Sequence, residues 1–139
     1  SRVIRQVKTQ RVLIHSPERN WIQIYSSHPD HLAAGEAAIF AVYPDARNPF
    51  AHPVLLNEEG LDAWTVGEVC VMGAPDVNHF EDVTPYFDQK IQALIAHESQ
   101  TAHMEDLPGR LRTRMASFAD QAGLPEGSMV EAFKVVNTA

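Results

Sequence analysis

Cysteine is nearly absent from this chain. Cys70 is the only one among 139 residues, so a disulfide framework is excluded, and a reducing compartment, most simply the cytoplasm, fits. Cys70 lies in an apolar run with nothing nearby to activate its thiol, which predicts a small buried residue rather than a nucleophile. Positive charge is also scarce. Eleven Lys and Arg against eighteen Asp and Glu leave a formal charge of −7. Phosphate backbones attract a basic face, so nucleic acid is not an expected partner. No apolar run approaches the ~18 residues of a membrane span. The opening residues Ser1 to Arg5 lack the apolar stretch of a signal peptide. A glycine-rich phosphate loop, a serine elbow and paired zinc-finger cysteines are all missing.

What is present centres on Ser27-His28-Pro29-Asp30-His31, followed by Leu32-Ala33-Ala34-Gly35-Glu36. Pro29 suits the first position of a helix, where its missing N–H costs nothing, which puts His28 at the N-cap. Residues three apart share a helix face, so His28 and His31 are expected to point into one cleft. Two imidazoles and a carboxylate suit a borderline cation such as zinc. The same tetrapeptide also reads as an ordinary helix start, with Asp30 favouring the positive end of the helix dipole.

The rest of the chain sets the context. Ser1 to Lys8 reads as the end of an amphipathic helix, with Val3, Ile4 and Val7 on the apolar side and Arg2, Arg5 and Lys8 on the other. Arg11 to His15 reads as a buried parallel strand, stopped by turn chemistry in Ser16-Pro17-Glu18-Arg19-Asn20. Open α/β sheets bind ligands beyond the carboxyl ends of their strands, so the loop from Ser16 to Ser27 lies where a site is expected. A small-sided, mostly buried helix should follow, ending near Tyr43-Pro44. A short helix is expected around Val54 to Asn57, with His52 as a loop histidine. Strands are expected at Thr65 to Met72 and His79 to Val83. Thr84-Pro85 should open a helix running to about Gln100, with Phe87, Ile91, Leu94 and Ile95 as its apolar stripe. Leu107 to Ala122 reads as a helix closed by Gly123. Its Arg110, Arg112 and Arg114 fit a solvated face, with an interface or anion site as alternatives. Glu131 to Val136 reads as a final strand with alternate residues inward. The order is that of an α/β domain around a mixed sheet.

Taken together, His28-Pro29-Asp30-His31 with Ala33-Ala34-Gly35, Asp82-Val83-Thr84, and Lys90, Ala93-Leu94, Ala96-His97 and Ser99-Gln100 resemble the C-terminal half of a PIG-L/LmbE-like zinc-dependent N-deacetylase. The runs Ala41 to Pro49 and Ser16 to Asn20 resemble a bacterial branch of that family. The resemblance implies a Rossmann-like, mostly parallel or mixed sheet flanked by helices. It also implies removal of acetyl from an N-acetylated amino sugar or related amide. Members begin with a strand ending in an Ala-His-Pro-Asp-Asp-Glu-type motif that supplies two zinc ligands and the general base, and this sequence has no such motif. The chain is therefore expected to be one domain, 1–139, forming the C-terminal portion of a longer protein and inactive by itself.

By that resemblance His31 is a zinc ligand in a site that is incomplete here. His28 faces the substrate carbonyl, to stabilise an oxyanion or protonate the leaving amine, and Asp30 orients an imidazole. Arg19 and Asn20 are candidate substrate-binding residues, with a local turn role as the alternative. Asp82 and His97 are expected to support the fold or the site indirectly. The expected partners are an N-acetylated amino-sugar-type small molecule and the missing N-terminal half, and an oligomer is compatible. Two other readings stay open: a non-catalytic interaction domain derived from the same fold, and a metal site completed across two copies of the chain.

Overall fold

The computed structural model describes residues 1–139. In chain order the elements are α1 (Arg2–Val7), β1 (Arg11–His15), α2 (Pro29–Phe40), α3 (Pro53–Asn57), β2 (Glu68–Met72), β3 (His79–Asp82), α4 (Phe87–Ile95), α5 (Glu98–Thr101), α6 (Leu107–Ala122) and β4 (Val130–Asn137). The strands form a mixed four-stranded sheet in the order β1-β2-β4-β3. β1 runs parallel to β2, with His15 opposite Met72, and β2 runs antiparallel to β4, with Met72 opposite Phe133. No helix is long and apolar enough to cross a membrane.

The chain divides into two compact units, Ser1–His79 with Phe133–Ala139, and Phe80–Ala132. In the first, Ile14, Val42, Val66, Val69, Val71 and Ala74 form the core, with Ile4, Val12, Ile39 and Trp64 packed on it. Val69, Cys70 and Val71 are consecutive and all buried, as expected of a strand covered on both faces. Cys70 is thus the small core residue its surroundings predict. In the second unit Phe87, Ile91, Met115 and Met129 form the core. Gly123 closes α6 in the left-handed region, at φ 68°, as its position predicts. Arg110, Arg112 and Arg114 are exposed, with the Arg112 guanidinium 4.2 Å from the centre of the Phe87 ring.

The structure corrects several sequence expectations. The faces of α1 are not divided as hydropathy implies. Arg5 is fully buried, whereas Val3 and Val7 are exposed. The Arg5 guanidinium donates to the carbonyls of Asp45, Ala46, Asn48 and Ala51 at 2.8–3.2 Å, and to that of Leu61 at 3.5 Å. Five backbone acceptors that lie near one another outweigh the cost of burying the charge. α2 is not mostly buried either: Gly35 is its one buried residue, and Ala38 and Ile39 are partly buried against the core. β2 starts at Glu68 rather than Thr65, since the Gly67 and Glu68 N–H groups both bond the Gln10 carbonyl. The helix after Thr84-Pro85 opens with a 3₁₀ turn, Thr84–Tyr86, and α4 stops at Ile95, so that His97 caps the separate α5. β4 does not alternate, its buried residues being Val130 and Phe133.

Candidate active site

The site is built on the carboxyl end of β1. Ser16 N–H bonds the Met72 carbonyl at 2.9 Å, which carries the pairing one residue past the strand. The loop that follows is braced from within. The Asn20 side-chain carbonyl accepts from the N–H groups of Ile22 (3.1 Å) and Gln23 (3.0 Å), its amide donates to the Ala74 carbonyl (3.5 Å), and its N–H donates to Ser27 Oγ (2.7 Å). A buried Asn with its side-chain carbonyl engaged twice holds a turn. Arg19 is exposed, with its guanidinium 5.5 Å from the centre of the Trp21 ring. Trp21 and Ile22 are 79% and 93% exposed, which leaves an apolar loop tip at the strand end.

The loop delivers the chain to α2 as expected. His28 is the N-cap, with extended backbone (φ −58°, ψ 142°), and Pro29 opens the helix. The His28 side chain makes no capping bond to the backbone. Its Nδ1 lies 2.5 Å from Asp30 Oδ1, which also accepts the His31 backbone N–H at 2.6 Å. The hydrogen bond from His28, then that from the His31 backbone, hold the Asp30 carboxyl below the usual carboxylate range. His28 and His31 do share a face: their ring centres are 6.0 Å apart, edge to face.

One residue is brought in that sequence reasoning gave no role. His15, the last residue of β1, stacks on His31 with ring centres 4.3 Å apart and planes 10° apart. Gly35 explains the approach. A β-carbon there would lie 2.3 Å from the His15 carbonyl oxygen and 2.9 Å from Pro17 N, so only glycine lets α2 rest on the strand end. The signal was in the sequence: Gly35 is one helical turn from His31, on the same face, and follows a strand that ends in histidine. His52, by contrast, is a loop histidine whose Nε2 is engaged at 2.8 Å by Asp45. Asp82 accepts from both the N–H and the hydroxyl of Thr84, tying β3 to the turn that follows.

As for a metal, no group of three or more His, Cys, Asp or Glu side chains is placed to hold one. A catalytic zinc takes three protein ligands. The chain offers imidazole donors but not a full set.

Over 118 residues the chain is 33% identical to a Bacillus cereus protein named probable N-acetyl-alpha-D-glucosaminyl L-malate deacetylase 2. By sequence and fold the chain is similar to the PIG-L/LmbE-like deacetylase family. The alignment takes in 83% of this chain and 46% of the relative, so the chain spans about half the length of the curated protein it matches. No family model matches. Two solved structures share the fold. The N,N'-diacetylchitobiose deacetylase of Pyrococcus horikoshii, complexed with its inhibitor MPG, superposes with a TM-score of 0.82 at 22% identity, covering 99% of this chain and 49% of that one. The conserved protein TT1542 of Thermus thermophilus gives 0.70 at 18% identity, covering 99% and 56%.

Proposed function

We propose that this chain is the C-terminal portion of a zinc-dependent amidohydrolase that removes acetyl from an N-acetylated amino sugar or related amide, and that it is inactive by itself. One observation carries the reading. The cluster of His28, Asp30 and His31 stands at the carboxyl end of β1 in a chain with a deacetylase relative at 33% identity. A single buried cysteine fits a cytoplasmic setting.

The roles are those that the family resemblance implies. His31 would be one zinc ligand; Asp30 Oδ1 approaches its Nε2 only to 3.9 Å, which leaves the ring nitrogens accessible. A zinc ion held there supplies Lewis-acid polarisation of the amide carbonyl. The Asp30 carboxylate fixes Nδ1 of His28 as the N–H, which leaves Nε2 for the substrate. The protonated His28 ring donates from Nε2 to the oxyanion or passes its proton to the departing amine. Arg19 presents its guanidinium to sugar hydroxyls or an anionic substituent, on a loop that Asn20 holds in shape.

The test is acetate release from N-acetylglucosaminides by the polypeptide as its gene encodes it, zinc-loaded, beside the 139-residue chain. Turnover is expected from the first and none from the second. His28→Ala should lower turnover by about 10² to 10⁴. No acetate from either, or full turnover in His28→Ala, contradicts the reading. A second reading, a binding domain without catalysis, predicts no acetate from the polypeptide as its gene encodes it, so the same assay decides between them.

A further inference from the structure

His31 stands in the first turn of α2 with its side chain 42% exposed, where an imidazole has more than one open rotamer. A metal ligand usually has its ring fixed by a hydrogen bond to its second nitrogen. His31 has no such bond: Asp30 takes its backbone N–H and the His28 ring. What lies against the His31 ring is His15, parallel and in van der Waals reach. The two rings come from different elements, and the arrangement follows from the backbone. β1 is paired to β2 through His15, and α2 rests on the His15 carbonyl through Gly35, one turn beyond His31. Placing Gly35 over the strand end places His31 over the His15 ring.

We propose that His15 is a positioning residue that clamps the His31 imidazole in one rotamer by stacking on its face. A hydrogen bond would use one of the ring nitrogens. A stack holds the face and leaves both nitrogens, which lie at the edge, open to a ligand. The inference takes the meaning of the His31 ring from the functional reading above, but its test does not depend on that reading.

The test is side-chain NMR of the isotopically labelled 139-residue chain, reading the His31 three-bond couplings for rotamer averaging and its ring protons for the ring-current shift. The unaltered chain should show one rotamer and upfield-shifted protons. His15→Ala should average the couplings and remove the shift, and His15→Phe should keep both. A single His31 rotamer in His15→Ala, or averaging in His15→Phe, overturns the proposal. Should His15→Ala disturb the β1 amide signals, His15→Leu decides: averaging supports a flat-ring clamp, and a single rotamer refutes it. In the zinc-loaded polypeptide as its gene encodes it, His15→Ala should weaken zinc binding by about tenfold and His15→Phe should not. If no variant, nor the unaltered protein, holds zinc or releases acetate, the functional reading fails while the rotamer readout still judges the clamp.

Discussion

The first unit contains two His–Asp pairs, and they are used in opposite ways. At Asp45 and His52 the pair is closed. His52 Nε2 meets Asp45 Oδ2 at 2.8 Å, the same oxygen accepts from Ser1 Oγ at 3.1 Å, and the adjoining backbone carbonyls are taken up by Arg5. The His52 bond spans seven residues, and those from Ser1 and Arg5 span 40 or more. At Asp30 and His28 the pair is open. Its bonds span one or two residues and add nothing to tertiary structure, and the His31 ring beside it accepts no hydrogen bond. Each histidine gives one ring nitrogen to its aspartate, and the difference lies in the carboxylate, which at Asp45 is also tied to Ser1 across the fold and at Asp30 serves only its own helix start.

Breaking the closed region should have the largest effect. Arg5→Ala leaves five carbonyls without their donor and removes a buried side chain. It should cost about 3 kcal/mol or more, read as a fall in the urea midpoint at constant slope. Gly35→Ala comes next, at about 1–3 kcal/mol, because a β-carbon meets the His15 backbone rather than a flexible side-chain end. The same variant should release the His31 stack, so it joins the stability of α2 to the geometry of the open pair. His52→Ala should cost much less than Arg5→Ala, since its pair is half exposed.

Acid should separate the pairs from the buried arginine. The Asp45 carboxyl is held below its usual range, first by the His52 bond and then by the Ser1 hydroxyl. A carboxyl whose folded value is depressed adds stability above the unfolded value and loses it as pH falls through the folded one. The stability gap between the unaltered chain and Asp45→Asn should therefore be present above the ordinary carboxylate range and close below it. The gap for Arg5→Ala should persist. Smallest of all, His28→Ala and His31→Ala should leave the unfolding midpoint unchanged, which is the signature of residues kept for something other than the fold.

The elements near the site were legible because strong local signals agree there. Pro29 after His28 marks the helix start, the β-branched run of β1 ends in turn residues, and Gly123 marks a helix end. The α1 face was not legible, because hydropathy assigns an arginine to solvent and cannot see carbonyls 40 or more residues away. His15 was missed for a related reason. A stack between a strand end and a helix depends on how closely the two approach, and the clue was a glycine that periodicity treats as a gap. Asn20 was read as evenly balanced between turn and substrate, and its side-chain carbonyl accepts two backbone N–H groups of the turn.

The most direct test of the central claim, that the open pair belongs to a zinc site this chain does not complete, is elemental analysis of zinc. It is made on the polypeptide as its gene encodes it and on the 139-residue chain, each with and without His31→Ala. The account predicts one zinc in the first, lost in His31→Ala, and none above that control in the second. Zinc retained after His31→Ala, or one zinc held tightly by the 139-residue chain, would contradict it.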